Sequence, residues 1–275
     1  MNNDKHPTMN LDELTQLTNN PDFIEGIYNY CDRWCERCPF TQRCANVAIG
    51  RAQFPDGEPH DLESTEFWEG ITSVFQNTLE LLQQAAVEQG IDLADPELNA
   101  ALDHDEALRT QAEEDPCAEA AFLYTEFGFI WFEEAADLFT AKEEDLNMLA
   151  RLNVADGQTE QQAAEITDAV EVIQWYLDFI YVKLQRALHG QLEEAEDPEA
   201  WEGYPKDSDG SAKVALIAMD RSIGAWGQLL RHFPERETSV LEVLAHLDRL
   251  RRAVEAQFPA ARSFVRPGFD TGEFA

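Results

Sequence analysis

The sequence is poor in positive charge. It carries 20 Lys and Arg against 54 Asp and Glu, a formal net charge of −34. Only five of the basic residues are lysines: Lys5, Lys142, Lys183, Lys206 and Lys213. A nucleic-acid binder needs a basic footprint, and this chain repels phosphate, so no nucleic-acid partner is expected. Anionic membrane surfaces are disfavoured on the same ground. No run of 18 apolar residues is present, so no helix is expected to span a membrane. Met1-Asn2-Asn3-Asp4-Lys5 lacks the apolar stretch of a secretory signal, and the expected compartment is the cytoplasm. Abundant carboxylate with little lysine predicts a halophilic protein, in which salt screens self-repulsion. Its melting temperature should then fall as salt is withdrawn. A surface that imitates nucleic acid need show no such loss.

Strand signals are missing too, since no β-branched alternation occurs. So are G-x-S-x-G, the P-loop, H-E-x-x-H and G-x-G-x-x-G. None of the six histidines has a glutamate three residues before it. That removes the Glu-x-x-His pair of ferritin-like di-metal bundles. Asp207-Ser208-Asp209-Gly210 matches part of a calcium loop. The register that puts Gly210 at position six puts Pro205 at one and Leu216 at twelve, where carboxylates are required. A cap on the next helix, through Asp209 or Ser211, is the simpler expectation.

What is present is core material. Hydrophobic residues make up 44% of the chain, with 16 Phe, 6 Trp and 6 Tyr, which excludes disorder throughout. Apolar spacings of three and four predict helices over about 24–34, 64–89, 96–113, 116–152, 159–188, 211–231 and 239–258. Ser64 is an expected N-cap, and Asp115-Pro116 reads as N-cap followed by N1 proline. Gly90, Asp156-Gly157 and His189-Gly190 read as stops. Residues 50–62 read as turn, and 191–210 as a long exposed crossover. The expected fold is all-α: a bundle of about five long helices with a small N-terminal cysteine-rich module. The corresponding domains are a metal-binding module over 1–62, the bundle over 63–258 and an irregular tail over 259–275.

Four of the five cysteines lie together, as Cys31-Asp-Arg-Trp-Cys35-Glu-Arg-Cys38-Pro39-Phe-Thr-Gln-Arg-Cys44. A cytosolic chain is kept reduced, which disfavours disulfides. On one unbroken helix Cys31 and Cys38 would be about 10 Å apart in rise. Thiolates on one zinc must each lie about 2.3 Å from it. The backbone must therefore turn near Cys35–Cys38, where Pro39 disfavours an α conformation at Cys38. Three readings stand. Cys31, Cys35, Cys38 and Cys44 hold a structural zinc, or an iron–sulfur cluster, or are small residues filling a helix face. A proline directly after a ligand is a ferredoxin habit, and Cys38-Pro39 fits it. Zinc would make the module a clip beside a protein-interaction bundle, whereas a cluster would make a redox or sensing protein.

The C-x3-C-x2-C portion resembles in spacing that of radical S-adenosylmethionine enzymes. That resemblance implies a parallel β/α barrel, for which no strands are patterned here. Tyr28, Tyr30, Trp34 and Phe40 interleave with the cysteines. Arg33, Arg37 and Arg43 offset thiolate charge or serve as ordinary ion-pair partners. Cys117 falls in the first turn of a helix, where the macrodipole lowers a thiol pKa.

Glu126, Glu133, Glu171, Asp178 and Asp220 interrupt apolar stretches. Two arrangements follow: a carboxylate metalloenzyme site in the bundle, or interhelical ion pairs with Lys183, Lys213 and Arg221. If Asp220 pairs with a buried cation, Asp220→Ala is expected to cost about 3–5 kcal/mol. An acidic protein-interaction module without metal is the remaining alternative.

Overall fold

A proline at the first helical position has no N–H to leave unpaired, and an aspartate before it offers a carboxylate to the free amides behind. The computed structural model describes residues 16–53, 65–93, 95–152 and 157–271. In it Asp115 accepts a hydrogen bond from the Cys117 amide at 2.8 Å and opens a helix over Pro116–Arg151. The helices run α1 (Ala45–Gln53), α2 (Thr65–Gln89), α3 (Pro96–Glu113), α4 (Pro116–Arg151), α5 (Gln158–Glu196), α6 (Asp207–His232) and α7 (Glu237–Gln257). No strand occurs among the described residues, and none of their helices is long and apolar enough to cross a membrane. The expected Ser64 cap, most of the 50–62 turn and Asp156 lie outside the described residues. Residues 50–53 end α1 instead of forming a turn.

The chain forms two compact units, residues 105–265 and residues 1–104 with 266–275. The first of these is a four-helix bundle. Helix α4 packs on α5, α5 on α6, α6 on α7, and α7 back on α4. Along α5, Ile166, Ile173, Ile180 and Leu184 are all buried, as the apolar stripe predicts. Along α6, Ala212, Ala215 and Ala218 are buried, and such small side chains let helix backbones approach. Trp226 is fully buried. Its ring meets Trp131 edge-on at 4.9 Å, and its Nε1 donates to the Tyr124 hydroxyl at 3.1 Å. At Gly128 α4 packs so tightly on α5 that an added Cβ would clash with a Leu177 methyl. Beside it the Thr125 hydroxyl donates to the Leu177 carbonyl at 2.8 Å.

Two boundaries differ from expectation. Helix α5 does not stop at His189-Gly190 but runs on to Glu196. Gly190 is buried against the first turn of α6, 3.6 Å from the Ser208 amide nitrogen by its would-be Cβ. It admits a neighbour rather than ending a helix. The start of α6 is Asp207, with no side-chain cap from its own N-cap residue. Buried Glu194 of α5 caps it instead, accepting from the Ser208 amide at 3.1 Å and the Ser208 hydroxyl at 2.7 Å. The expected crossover over 191–210 thus shrinks to the residues between α5 and α6. Residues beyond α7 form a short 3-10 turn, Ala261–Ser263, packed on α6.

In the other unit the expected helix over 24–34 does not form. Short 3-10 turns stand there, Ile27–Asn29, Cys35–Arg37 and Thr41–Arg43. Ile24, Ile27 and Cys44 make a small buried cluster, flanked by half-buried Tyr28, Phe40, Val47 and Phe269. Gly268, at φ +76°, passes so close that a Cβ would lie 3.0 Å from Ile27 and 3.1 Å from Ile24. Helix α2 ends at Gly90, φ +71°, as expected. Of its apolar stripe Ala86 is buried, while Phe75, Leu79 and Leu82 are exposed.

Candidate metal centre

The backbone around the four cysteines turns repeatedly. The Asp32 carboxylate accepts from the Trp34 amide at 3.2 Å, and Arg33 takes a left-handed conformation at φ 59°. A non-glycine residue rarely sits there, and it does so to reverse the chain between Cys31 and Cys35. The 3-10 turn Cys35–Arg37 follows, and Cys38 before Pro39 is extended, with ψ 125°. The break demanded by convergence of the thiols therefore lies where proline predicts it. Phe40 then donates its amide N–H to the Cys38 sulfur at 3.4 Å. The Cys31 thiol donates to the Tyr28 carbonyl at 3.6 Å. After Thr41–Arg43, Cys44 is extended and buried at the start of α1, and the Ile24 amide donates to the Arg43 carbonyl at 3.0 Å.

The Cys35 and Cys38 thiols respond to the charges around them. Burial raises the Cys35 thiol pKa, and the charges of Cys31, Cys44, Glu36 and Cys38 raise it further. Cys38 is raised chiefly by burial, opposed by the Phe40 amide, with Cys31, Asp32 and Cys44 adding to the rise. No disulfide joins them. A metal binds thiolate, so its binding would release these protons. The sulfurs are not tightly clustered, however. Among the described residues, one group of three or more His, Cys, Asp or Glu ligand atoms lies within 4.8 Å of one another, and it contains no cysteine. The guanidinium of Arg37 lies over the Trp34 ring at 3.9 Å.

Cys117 behaves differently from expectation. It is buried, and its sulfur lies 3.3 Å from the Gln257 side-chain oxygen. Burial, with the charge and hydrogen bond of Asp115, pushes its pKa up to about 11. Desolvation and a neighbouring carboxylate outweigh the helix dipole here. Cys117 is therefore expected to resist alkylation in the native protein at pH 8 and to react on unfolding, which mass spectrometry of iodoacetamide-treated samples will read.

The carboxylates of the apolar stretches do not point inward. Glu126, Glu133, Glu171 and Asp178 are exposed. Asp220 is 41% exposed and pairs with Arg262 at 2.6 Å and Arg251 at 3.4 Å. Lys213 donates to the Phe264 carbonyl and Arg221 to the Tyr176 hydroxyl. Lys183 is buried with its ammonium 5.5 Å from the Phe179 ring. Seven-residue spacing puts two carboxylates on one helix face without saying which face. For this partly exposed ion-pair network, Asp220→Ala is expected to cost about 1 kcal/mol or less, readable in the melting temperature.

The group within 4.8 Å is Asp105, His189 and Glu193. Asp105 Oδ1 lies 2.9 Å from His189 Nε2, and Glu193 Oε2 lies 3.4 Å from Nδ1. The two carboxylates hold opposite ring nitrogens. Asp105 also receives Arg109 at 2.8 Å. The Glu-x-x-His test misses this group. Its sequence trace is His189 and Glu193 four apart on α5, and the third member comes from α3.

No family model, no curated protein and no solved structure matches the chain.

Proposed function

We propose that this is a four-thiolate metal protein, with Cys31, Cys35, Cys38 and Cys44 as ligands of zinc or an iron–sulfur cluster. The observation that carries the reading is the disproportion between the N-terminal segment and its core. Residues 20–44 fold through short turns into α1, around a buried cluster that among the described residues consists of Ile24, Ile27 and Cys44. Burying a large aliphatic side chain contributes about 1.5–3 kcal/mol, far less than ordering so many residues costs. Small units of this kind rely on cross-links, and the four free thiols of this segment supply a metal cross-link. The N–H donated to the Cys38 sulfur is the kind of hydrogen bond that supports a ligating thiolate.

A reducing cytoplasm keeps such thiols available, and we place the protein there. The acidic surface favours protein partners over nucleic acid, and the bundle supplies the scaffold for them. A metalloenzyme built on bundle carboxylates has less support. Its best group among the described residues is Asp105, His189 and Glu193, of which Glu193 is exposed and Asp105 already pairs with Arg109.

Elemental analysis of the full chain and of Cys35→Ser tests the proposal. Metal is expected in the wild type, with most of it lost in the variant. Full retention by Cys35→Ser moves the site elsewhere and overturns the assignment.

A further inference from the structure

We propose that the outward face of α4 is the docking surface for a helix of a partner protein, one that carries arginines in a row between two apolar rows. The proposal gives a surface and a chemistry to the protein partner invoked above, and it does not depend on the thiolate centre.

The face repeats every seven residues. Glu119, Glu126 and Glu133 form one row along α4, and all three are exposed. Phe122 and Phe129 form a second row on one side of it, and Leu123 and Ile130 a third on the other. These four apolar residues keep between 48% and 53% exposure. Single exposed apolar residues are ordinary, whereas adjoining rows of them mark an interaction site. A seven-residue repeat keeps facing a partner over several turns when that partner is itself a helix wound against it. The stretch from Glu119 to Glu133 is about 21 Å long, about four turns.

Charge decides which helix. Glu119, Glu126 and Glu133 have no ion pair among the described residues, whereas neighbouring Glu134 is held by Arg236 at 3.1 Å. A second copy of this chain would set carboxylate against carboxylate. A row of arginines meets those carboxylates instead, and apolar residues on either side of it cover the phenylalanine and aliphatic rows. One end of the face adds a receptacle. A hollow of about 410 Å³ is lined there by Glu113, Glu119, Phe122, Leu123 and Tyr181. The Phe122 and Tyr181 rings meet edge-on at 5.7 Å. A guanidinium stacks on aromatic faces and forks onto carboxylates, so this hollow suits arginine better than lysine.

The test uses the full chain, at a salt concentration where circular dichroism shows it folded. The probe is a fluorescently labelled synthetic helix about three heptads long, with arginine at every seventh position and leucine three and four places after it. A peptide of the same composition in scrambled order measures attraction by net charge alone. Fluorescence anisotropy is expected to show the ordered peptide binding about tenfold or more tighter than the scrambled one. The double variant Leu123→Ser, Glu126→Lys should lose that preference, and Glu242→Lys, on α7, should keep it. All three positions are exposed, and circular dichroism of each variant checks that it folds. Equal affinity for the two peptides, no binding of either, or an unchanged preference in the double variant overturns the proposal. A dimer in sedimentation that the double variant abolishes overturns it as well, in favour of a second copy. Metal content is unaffected by any of these results, so this proposal and the thiolate centre fail separately.

Discussion

Trp226→Ala is expected to cost about 3–5 kcal/mol, the range for truncating a large aromatic in a packed core. The site cannot collapse easily. Trp226 is fully buried on α6 and meets Trp131 at 4.9 Å and Phe132 at 5.8 Å from α4. Its Nε1 also donates to Tyr124, whose hydroxyl is wholly buried and whose pKa burial pushes up to about 12. Alanine at 226 leaves a void and removes that donor. Trp226→Phe fills most of the void and loses only the hydrogen bond, for which about 1–3 kcal/mol is expected. Urea unfolding followed by far-ultraviolet circular dichroism measures both. Equal midpoints for wild type and Trp226→Ala would show that α4 and α6 do not meet as described.

The second large effect concerns metal removal. If the cysteines hold a metal as proposed, stripping it is expected to abolish the ordered turns of residues 20–44 and leave the bundle of α4–α7 folded. Structural zinc in small domains contributes apparent binding free energies of about 10–16 kcal/mol at neutral pH. Ile24 and Ile27 together replace only a fraction of that, at about 1.5–3 kcal/mol each. Hydrogen exchange reads the outcome residue by residue. The amides of Ile24, Cys38 and Arg43, which donate to Arg43, Cys35 and Phe40, should lose protection. Amides along α5 and α6 should keep it. Unchanged protection at Ile24 and Arg43 after complete metal removal would mean that the small apolar cluster suffices alone.

Much of the bundle was legible in the sequence because its signals are local. Asp115-Pro116 starts α4, Gly90 ends α2, and the α5 stripe through Ile173 and Ile180 is buried. Pro39 announces the extended Cys38 for the same reason, since the steric conflict lies within one peptide unit. The misreadings fall where distant residues decide. Ile24, Ile27 and Tyr28 have helical spacing, yet they turn to pack with Cys44 and Phe269. Gly190 looks like a stop because glycine weakens helices, but its use is to admit the Ser208 backbone. The cap of α6 comes from Glu194, on another helix, and no motif within α6 could reveal it. The spacing of the cysteines marks four candidate ligands without fixing how near their sulfurs come, because that depends on how the 3-10 turns stack. Asp105, His189 and Glu193 meet across two helices and leave only half their pattern in the chain.

The pairing of Gly268 and Phe269 with Ile24, Ile27 and Phe40 bears on biosynthesis. Helices α4 to α7 precede those two residues in the chain. The apolar cluster around Cys44 waits for them. If the cysteines hold a cofactor as proposed, its loading follows the emergence of position 269, and a released chain truncated before that position should carry a folded bundle and an unfinished, protease-sensitive cysteine segment.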